Sequence, residues 1–273
     1  MNNEELSERI ATLEQTMRQR KKVLLAFSGG VDSTFLAVIG ARTLKQDFLA
    51  VTVDHPCLPR RERTMACNLA EKLAIPHKLL FLDQWKIKGF QDNPPERCYL
   101  CKNALMGVLL QEAKEGGFPC LMDGSNAEDL NDFRPGSKAL EELGVESPLQ
   151  ALGWDKQSIR MASRLLGLPT ADLPSYACLA SRIPTNSPIT PEKLWQIEQM
   201  EDLLHELGFA ECRARHHGDI LRLEIAQHAF ATIVTTDNRA KLLARAHAVG
   251  FRWLTLDLEP YCSGRLNPNP PQQ

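Results

Sequence analysis

The chain has 273 residues, which at about 150 residues per domain gives a little under two domains and enough length to bury a core. Hydrophobic residues make up 43% of it and charged residues 24%, ordinary values for a globular protein, so wholesale disorder is excluded. Thirty-two basic against 34 acidic side chains leave a net charge of −2, which argues against a chain whose main task is coating nucleic acid or an anionic membrane.

The N-terminus, MNNEELSERI, is charged and unlike a secretion signal, and no apolar run approaches the ~18 residues of a membrane span. The chain therefore reads as cytoplasmic, and its eight cysteines as reduced thiols, far too sparse for a disulfide scaffold. Leu6, Ile10, Leu13 and Met17 recur at helical spacing and predict an amphipathic helix. Val23–Phe27 is a short apolar run ending at Ser28-Gly29-Gly30, the pattern of a buried parallel strand and a tight turn. A helix over Thr34–Leu44, a strand over Phe48–Val53, a helix over Arg60–Ala74 and a strand over Lys78–Leu82 continue the alternation. After Asn93–Pro95 comes a helix over Tyr99–Lys114, then a strand over Cys120–Met122 that ends at Asp123-Gly124. Such alternation predicts an α/β fold with an open parallel sheet, in which ligands bind beyond the carboxyl ends of the strands. Beyond a Pro/Ser/Thr-rich stretch, a helix over Pro191–Leu207, strands over Ala210–Arg215 and Leu221–Ile225, and a last strand over Trp253–Leu258 predict a smaller α/β unit. The expected division is a nucleotide domain over 1–185, a smaller domain over 186–265 serving substrate phosphate binding and oligomerisation, and a disordered tail over 266–273.

Ser28-Gly29-Gly30-Val31-Asp32-Ser33-Thr34 lies between the first strand and the next helix. Its glycines let the backbone approach a ligand with N–H groups turned inward, and the helix start adds its positive end, so the loop reads as an anion cradle. The hydroxyls of Ser28, Ser33 and Thr34 are expected to reach phosphate, and Asp32 to hold Mg²⁺. Neither G-x-x-x-x-G-K-[ST] nor a G-x-G-x-x-G after a strand occurs, which sets aside the kinase-type P-loop and lowers a dinucleotide oxidoreductase.

Cys98 and Cys101 form Arg-Cys-Tyr-Leu-Cys-Lys just before a predicted helix, and Cys178 lies in Ala-Cys-Leu-Ala-Ser-Arg. Arg97, Lys102 and Arg182 flank these thiols and would favour the thiolate, the form that is both nucleophile and metal ligand. Three readings compete: a zinc half-site, individual thiol chemistry such as a redox pair, and iron–sulfur ligation. A structural zinc site wants four ligands, usually as two close pairs, and no second pair occurs. A redox pair normally opens a helix straight after a strand, whereas this one follows Asn-Pro-Pro. Three thiolates with no fourth suit a [4Fe–4S] cluster that keeps one iron open. Cys57, Cys67, Cys120, Cys212 and Cys262 are scattered singly and read as packing residues.

The Ser28–Thr34 loop resembles the pyrophosphate (PP) loop of the N-type ATP pyrophosphatases, which have an adenine nucleotide alpha hydrolase fold. It occurs with Asp123-Gly124-Ser125-Asn126, Asp132-Phe133-Arg134-Pro135-Gly136, Cys178-Leu179-Ala180-Ser181-Arg182-Ile183-Pro184, Arg215-His216-His217-Gly218-Asp219 and Leu256-Asp257-Leu258, in that order. Together these resemble the LarE family, ATP-dependent sulfur transferases of nickel-pincer cofactor synthesis for lactate racemase, over about Leu24 to Gly264. The resemblance implies adenylation of a carboxylate of pyridinium-3,5-biscarboxylic acid mononucleotide, then sulfur insertion to give a thiocarboxylic acid. It implies a nucleoside pocket at Ala26, Phe27 and Val53, and a cradle at Ser28, Gly29, Gly30, Asp32, Ser33 and Gly124. In one branch the cysteine matching Cys178 gives up its own sulfur. In the other, cysteines matching Cys98, Cys101 and Cys178 hold a [4Fe–4S] cluster, and the presence of all three favours that branch. Arg182 is expected beside the reactive thiol and Arg215 on the substrate phosphate. Strand alternation puts His217 on the side of Arg215, while Arg134 reads as a phosphate contact or a turn residue. The sequence departs from the family at Ala171-Asp172-Leu173, usually Trp-Asp-Lys, and at Pro184-Thr185-Asn186, usually Pro-Tyr-Gly. Both departures bear on the shape of the acceptor pocket.

A tRNA thiolase would share the loop and the three cysteines, but the near-neutral charge favours a small-molecule acceptor over nucleic acid. An ammonia-using synthetase would need a glutaminase domain that the chain has no room for, and a non-catalytic ATP sensor would not release pyrophosphate. The expected partners are the pyridinium mononucleotide and further copies of the chain in a homo-oligomer.

Overall fold

Asn2 and Glu5 cap the first helix reciprocally, each side chain accepting the other's backbone N–H at 2.9–3.0 Å. This is α1, Asn3–Arg20, whose buried residues are the predicted Leu6, Ile10, Leu13 and Met17. The computed structural model describes residues 2–130, 135–174 and 177–262, so Asp132–Arg134 and the expected 266–273 tail lie outside the described residues. The strands of the first sheet are β1 (Val23–Ala26), β2 (Phe48–Asp54), β3 (His77–Phe81) and β4 (Cys120–Met122). Between them run α2 (Val31–Leu44), α3 (Arg60–Lys72) and α4 (Arg97–Glu115), and after them α5 (Pro135–Glu142), α6 (Pro148–Ala151) and α7 (Lys156–Leu165). The sheet has order β3-β2-β1-β4, with every pair parallel.

Residue alternation along β1 divides the core between the two faces of that sheet. Val23 and Leu25 join residues of α1, α2, α3 and α7, while Leu24 joins residues of α4 and α5. Helices therefore cover both faces at β1, β2 and β4, which explains why these strands read as apolar runs, while the edge strand β3 keeps Lys78, Leu79 and Phe81 exposed. Trp154, ahead of α7, is fully buried against Phe35, with Arg9 of α1 stacked 4.3 Å from its ring centroid.

The chain forms two units. The second takes in Gly89–Pro95 and Ala177–Gln273, so it begins before the expected 185/186 boundary and borrows an earlier segment. Asn93 explains the borrowing: its side-chain amide donates to the carbonyls of Ile183 and Pro184, and its own carbonyl accepts the N–H of Asn186 at 2.8 Å. Within this unit α8 (Pro191–Glu206), α9 (Phe230–Ile233) and α10 (Thr236–Ala248) accompany β5 (Cys212–His217), β6 (Ile220–Ile225) and β7 (Trp253–Leu256). β5 pairs antiparallel and β7 parallel to the central β6. Leu204 of α8, Leu221 and Leu223 of β6 and Leu242 of α10 share its separate core. Among the described residues, no helix is long and apolar enough to cross a membrane.

Gly40 sits in the interior of α2, where a Cβ would overlap the buried Phe48 ring. Alanine normally gains about 1 kcal/mol over glycine inside a helix, but overpacking a filled core costs about 1–3 kcal/mol. Gly40→Ala is therefore expected to lower the urea midpoint of the first unit.

Candidate active site

The order β3-β2-β1-β4 makes the sheet grow away from β1 in two directions, and the crevice between the ends of β1 and β4 is where such sheets bind ligands. The segment Ser28–Ser33 leaves β1 there. Gly29 takes φ +74°, and a Cβ on it would stand 3.0 Å from Ala66 of α3, so only glycine fits both the turn and the packing. Gly30 caps α2 with no side-chain hydrogen bond. The first amides of α2 have no partner inside the helix and remain available to an anion. Ser33 Oγ lies 3.0 Å from Ser28 Oγ and donates to the Gly30 carbonyl at 3.3 Å, which holds the two hydroxyls together. Thr34, expected to reach phosphate, is instead fully buried, because the helix has already turned its side chain into the core.

Asp32 projects from the first turn of α2. Its Oδ2 accepts Lys156 Nζ at 2.7 Å and Asn126 Nδ2 at 3.3 Å, while Oδ1 is buried with no hydrogen-bond partner among the described residues. A hard divalent cation suits such an oxygen, so the local chemistry fits Mg²⁺. Lys156 opens α7 and escaped the sequence reading, which took no helix there. The capping Asp155, whose Oδ1 accepts the Ser158 N–H at 2.7 Å, was the available signal.

From β4 the chain enters Asp123-Gly124-Ser125. Buried Asp123 accepts the hydroxyls of Ser147 at 2.6 Å and Ser125 at 2.7 Å, with Lys102 Nζ 3.7 Å away. A Cβ on Gly124 would stand 3.1 Å from the Ser33 nitrogen and 3.2 Å from its Cα. The expected nucleoside pocket needs correction. Phe27 packs in the core and meets His77 edge-on at a centroid distance of 5.7 Å, and Val53 is buried in the opposite core. Ala26 alone of the three is half-exposed.

At the ends of β2 and β3, still in the first unit, lie His55, Cys57 and Gln84. Burial drives the His55 pKa down to about 4, outweighing its hydrogen bond to Gln84. The ring is therefore neutral near pH 7 and is no phosphate-binding cation. Cys98 and Cys101 fall inside the first two turns of α4, which begins at Arg97, earlier than expected. Arg97 Nη2 lies 3.6 Å from Cys98 Sγ, and Gln84 Nε2 lies 3.0 Å from Cys101 Sγ.

Cys178 belongs to the second unit, where it caps a 3₁₀ turn over Leu179–Arg182. Arg182 was expected to act on the thiol. Its guanidinium instead grips Glu201 through two bonds of 2.8 and 2.7 Å, and donates to the carbonyls of Ala177 at 2.6 Å and Cys178 at 3.0 Å. Its charge is thus neutralised by Glu201, and what it orients is the main chain that carries Cys178. Arg215, expected on a phosphate, likewise grips the fully buried Glu224 at 3.0 and 2.8 Å, and its third nitrogen donates to the Ser181 carbonyl at 2.9 Å. Arg222 bridges Glu224 and Asp257. His217 is exposed, whereas His216 is buried against Phe251 and Gln196. Asn186 adopts φ +65°, a region in which Asn is among the best-tolerated residues after glycine, which accounts for Asn where the family usually has Gly.

All eight cysteines are thiols. Cys57, Cys120 and Cys212 are buried, and burial pushes the Cys120 thiol up to about 12, as befits a packing residue. Among the described residues, no group of three or more His, Cys, Asp or Glu is placed to hold a metal ion.

A model of the NAD synthase family matches residues 5–94. An uncharacterized protein of Synechocystis is 36% identical over 96% of this chain and 98% of its own length. The pyridinium-3,5-bisthiocarboxylic acid mononucleotide synthase of Lactiplantibacillus plantarum is 31% identical over 96% of this chain and 95% of its own. One of the subunits of the glutamine-hydrolyzing GMP synthase of Methanopyrus kandleri is 26% identical over 68% of this chain and 63% of its own.

Two substitutions test these geometries. Gly124→Ala pushes a methyl against the Ser33 backbone and is expected to weaken ATP binding about tenfold, or ~1.4 kcal/mol, measured by calorimetry. In the second unit, burial opposes ionisation of Glu201, but the charge and hydrogen bonds of Arg182 and the Ala214 N–H outweigh it, so its pKa lies below the ordinary carboxylate value. The stability this contributes is complete above the ordinary carboxylate pKa and is lost as pH falls through the depressed folded one. Glu201→Gln, which leaves Arg182 buried without its counter-charge, is expected to cost about 3 kcal/mol at pH 7 and to flatten that acid dependence in urea titrations.

Proposed function

The chain belongs to the LarE family of pyridinium-3,5-bisthiocarboxylic acid mononucleotide synthases, ATP-using sulfurtransferases of the PP-loop type, and from that premise we propose that it adenylates a carboxylate of pyridinium-3,5-biscarboxylic acid mononucleotide and replaces the activated oxygen with sulfur. The observation that carries this reading is the uncapped start of α2 behind Gly29 and Gly30, with the partnerless Asp32 oxygen beside it. In the first step a substrate carboxylate oxygen bonds to the α-phosphorus of ATP, and the bond from that phosphorus to the pyrophosphate oxygen breaks. The α2 amides, with the Ser28 and Ser33 hydroxyls, hold the departing pyrophosphate, and Asp32 would hold Mg²⁺, which would supply further charge stabilisation there. Lys156 supplies the nearest cation, parked on Asp32 at 2.7 Å. In the second step sulfur bonds to the acyl carbon and AMP leaves, giving the thiocarboxylic acid required for the nickel-pincer cofactor of lactate racemase.

Cys98, Cys101 and Cys178 are the residues we assign to a [4Fe–4S] cluster. What supports the assignment is the chemistry of the donors and the family resemblance: three thiols outside any disulfide, none of them fully buried, two with N–H groups at the sulfur, although among the described residues they form no group placed to hold a metal ion. When bound, the cluster would supply an open iron carrying an exchangeable sulfide. Arg182 and Arg215 hold the main chain around Cys178, and Arg215 does so in place of the substrate phosphate contact expected from the sequence.

The test is purification without oxygen, followed by iron and sulfide determination, visible spectroscopy and intact mass before and after turnover with ATP and acceptor acid. The expected result is acceptor-dependent pyrophosphate release, an iron–sulfur spectrum, and an unchanged mass with turnover sustained by added sulfide. Iron-free protein that loses the mass of hydrogen sulfide from Cys178 overturns the cluster assignment in favour of sacrificial donation. No pyrophosphate release with the pyridinium acid, but release with tRNA, overturns the substrate.

A further inference from the structure

Gln84 is fully buried at the end of β3, in a 3₁₀ turn over Gln84–Lys86, and nothing in the adenylation chemistry uses it. Its amide makes contacts at both ends. The carbonyl oxygen accepts the Cys57 N–H at 3.0 Å, and the nitrogen lies 3.0 Å from Cys101 Sγ. This arrangement fixes which way the amide points. Turned over, it would set its NH₂ against the Cys57 N–H, donor against donor, and lose that buried main-chain bond. An N–H group is therefore held on the sulfur of Cys101, while the neighbouring Cys98, three residues earlier on α4, is exposed and meets the Arg97 guanidinium instead.

We propose that Gln84 is a positioning residue for sulfur chemistry: its buried amide, locked by the Cys57 main chain, orients the Cys101 sulfur and stabilises negative charge on it. This rests on Cys101 serving as a cluster ligand, but the contact itself is a property of the iron-free chain. An N–H donor at a ligating sulfur favours the more negative, reduced form of a cluster, and at an unligated sulfur it supports nucleophilic character.

The test compares wild type with Gln84→Met, which keeps the length of the side chain and removes its donor, and with Gln84→Asn. The latter keeps an amide but is one methylene too short to span from the Cys57 N–H to the sulfur. In iron-free protein, iodoacetamide labelling of Cys101 is followed by peptide mass spectrometry at one fixed pH, with Cys98 of the same chain as the internal standard. Both variants are expected to lower the Cys101-to-Cys98 labelling ratio about threefold. In anaerobically iron-loaded protein, both are expected to move the reduction potential to more negative values. A space-filling role would leave Gln84→Met close to wild type in both measurements, and that result overturns the proposal even where the urea midpoint falls. A ratio that responds to Gln84 in a protein that takes up no iron removes the cluster and keeps the oriented sulfur. Iron-loaded variants with unaltered ratio and potential keep the cluster and remove the positioning role.

Discussion

The first sheet adds strands to both sides of β1, and the loops leaving β1 and β4 must therefore share one crevice. Their close approach, with Gly124 lying where any Cβ would press on the Ser33 backbone, is the constraint on which the nucleotide end of the molecule depends. It brings Asn126, from the segment after β4, onto Asp32, from the segment after β1. It also explains why Asp123 is buried and bonded to two hydroxyls: a charged group under so tight a contact needs its lone pairs satisfied. The glycines at 29, 30 and 124 thus act as one device. Gly29 lets the chain turn against α3, Gly30 starts α2 without a side-chain cap, and Gly124 lets the neighbouring strand come close enough to supply the remaining partners.

The second unit works by a different principle. Two of its buried arginines, Arg182 and Arg215, each face a buried carboxylate, and each donates from a remaining nitrogen to carbonyls of the segment 177–182. Such pairs contribute little net stability compared with an apolar filling, but they impose geometry, since breaking either partner leaves a buried charge. A segment with only a short 3₁₀ turn of its own is thereby given a defined path, and Cys178 lies on it. The cost of burying ions is accepted where the main chain around one thiol must not wander.

How much of this was legible in the sequence follows from how local each signal is. The Ser28–Thr34 loop was readable because its glycines and hydroxyls act within seven consecutive residues, between elements of clear period. β1, β2 and β4 were readable because both their faces are covered, which leaves apolar runs, and the exposed edge strand β3 was readable from its place in the alternation. Lys156 was not, because it meets Asp32 across 124 residues of chain and its helix is short. Arg182 and Arg215 were picked out by charge, and their protein partners were not weighed. Glu201 lies 19 residues from Arg182 on α8. Glu224, however, sits diagonally across the β5–β6 ladder, in a strand that alternates Leu with Arg and Glu, and that cross-strand signal was available. Phe27 was assigned to a pocket by position in a fold, although an aromatic closing a buried strand belongs first to the core.

The cysteines make the same point about environment. Composition treats them as eight equivalent thiols, and only burial and neighbours separate them. Cys120 lies in β4 with its thiol pushed up to about 12 by burial, so near neutral pH it is a protonated thiol packed in the core. Cys57 is equally buried, yet its main-chain N–H orients Gln84, and through that amide it bears on Cys101. A buried cysteine can therefore bear on a neighbouring sulfur through its backbone. The useful division among the eight is not reactive against structural but which atom of each residue faces the chemistry. For Cys178 it is the carbonyl that the fold engages, accepting from Arg182 at 3.0 Å and from the Ser181 hydroxyl at 2.8 Å, while the thiol is half-buried and outside any disulfide.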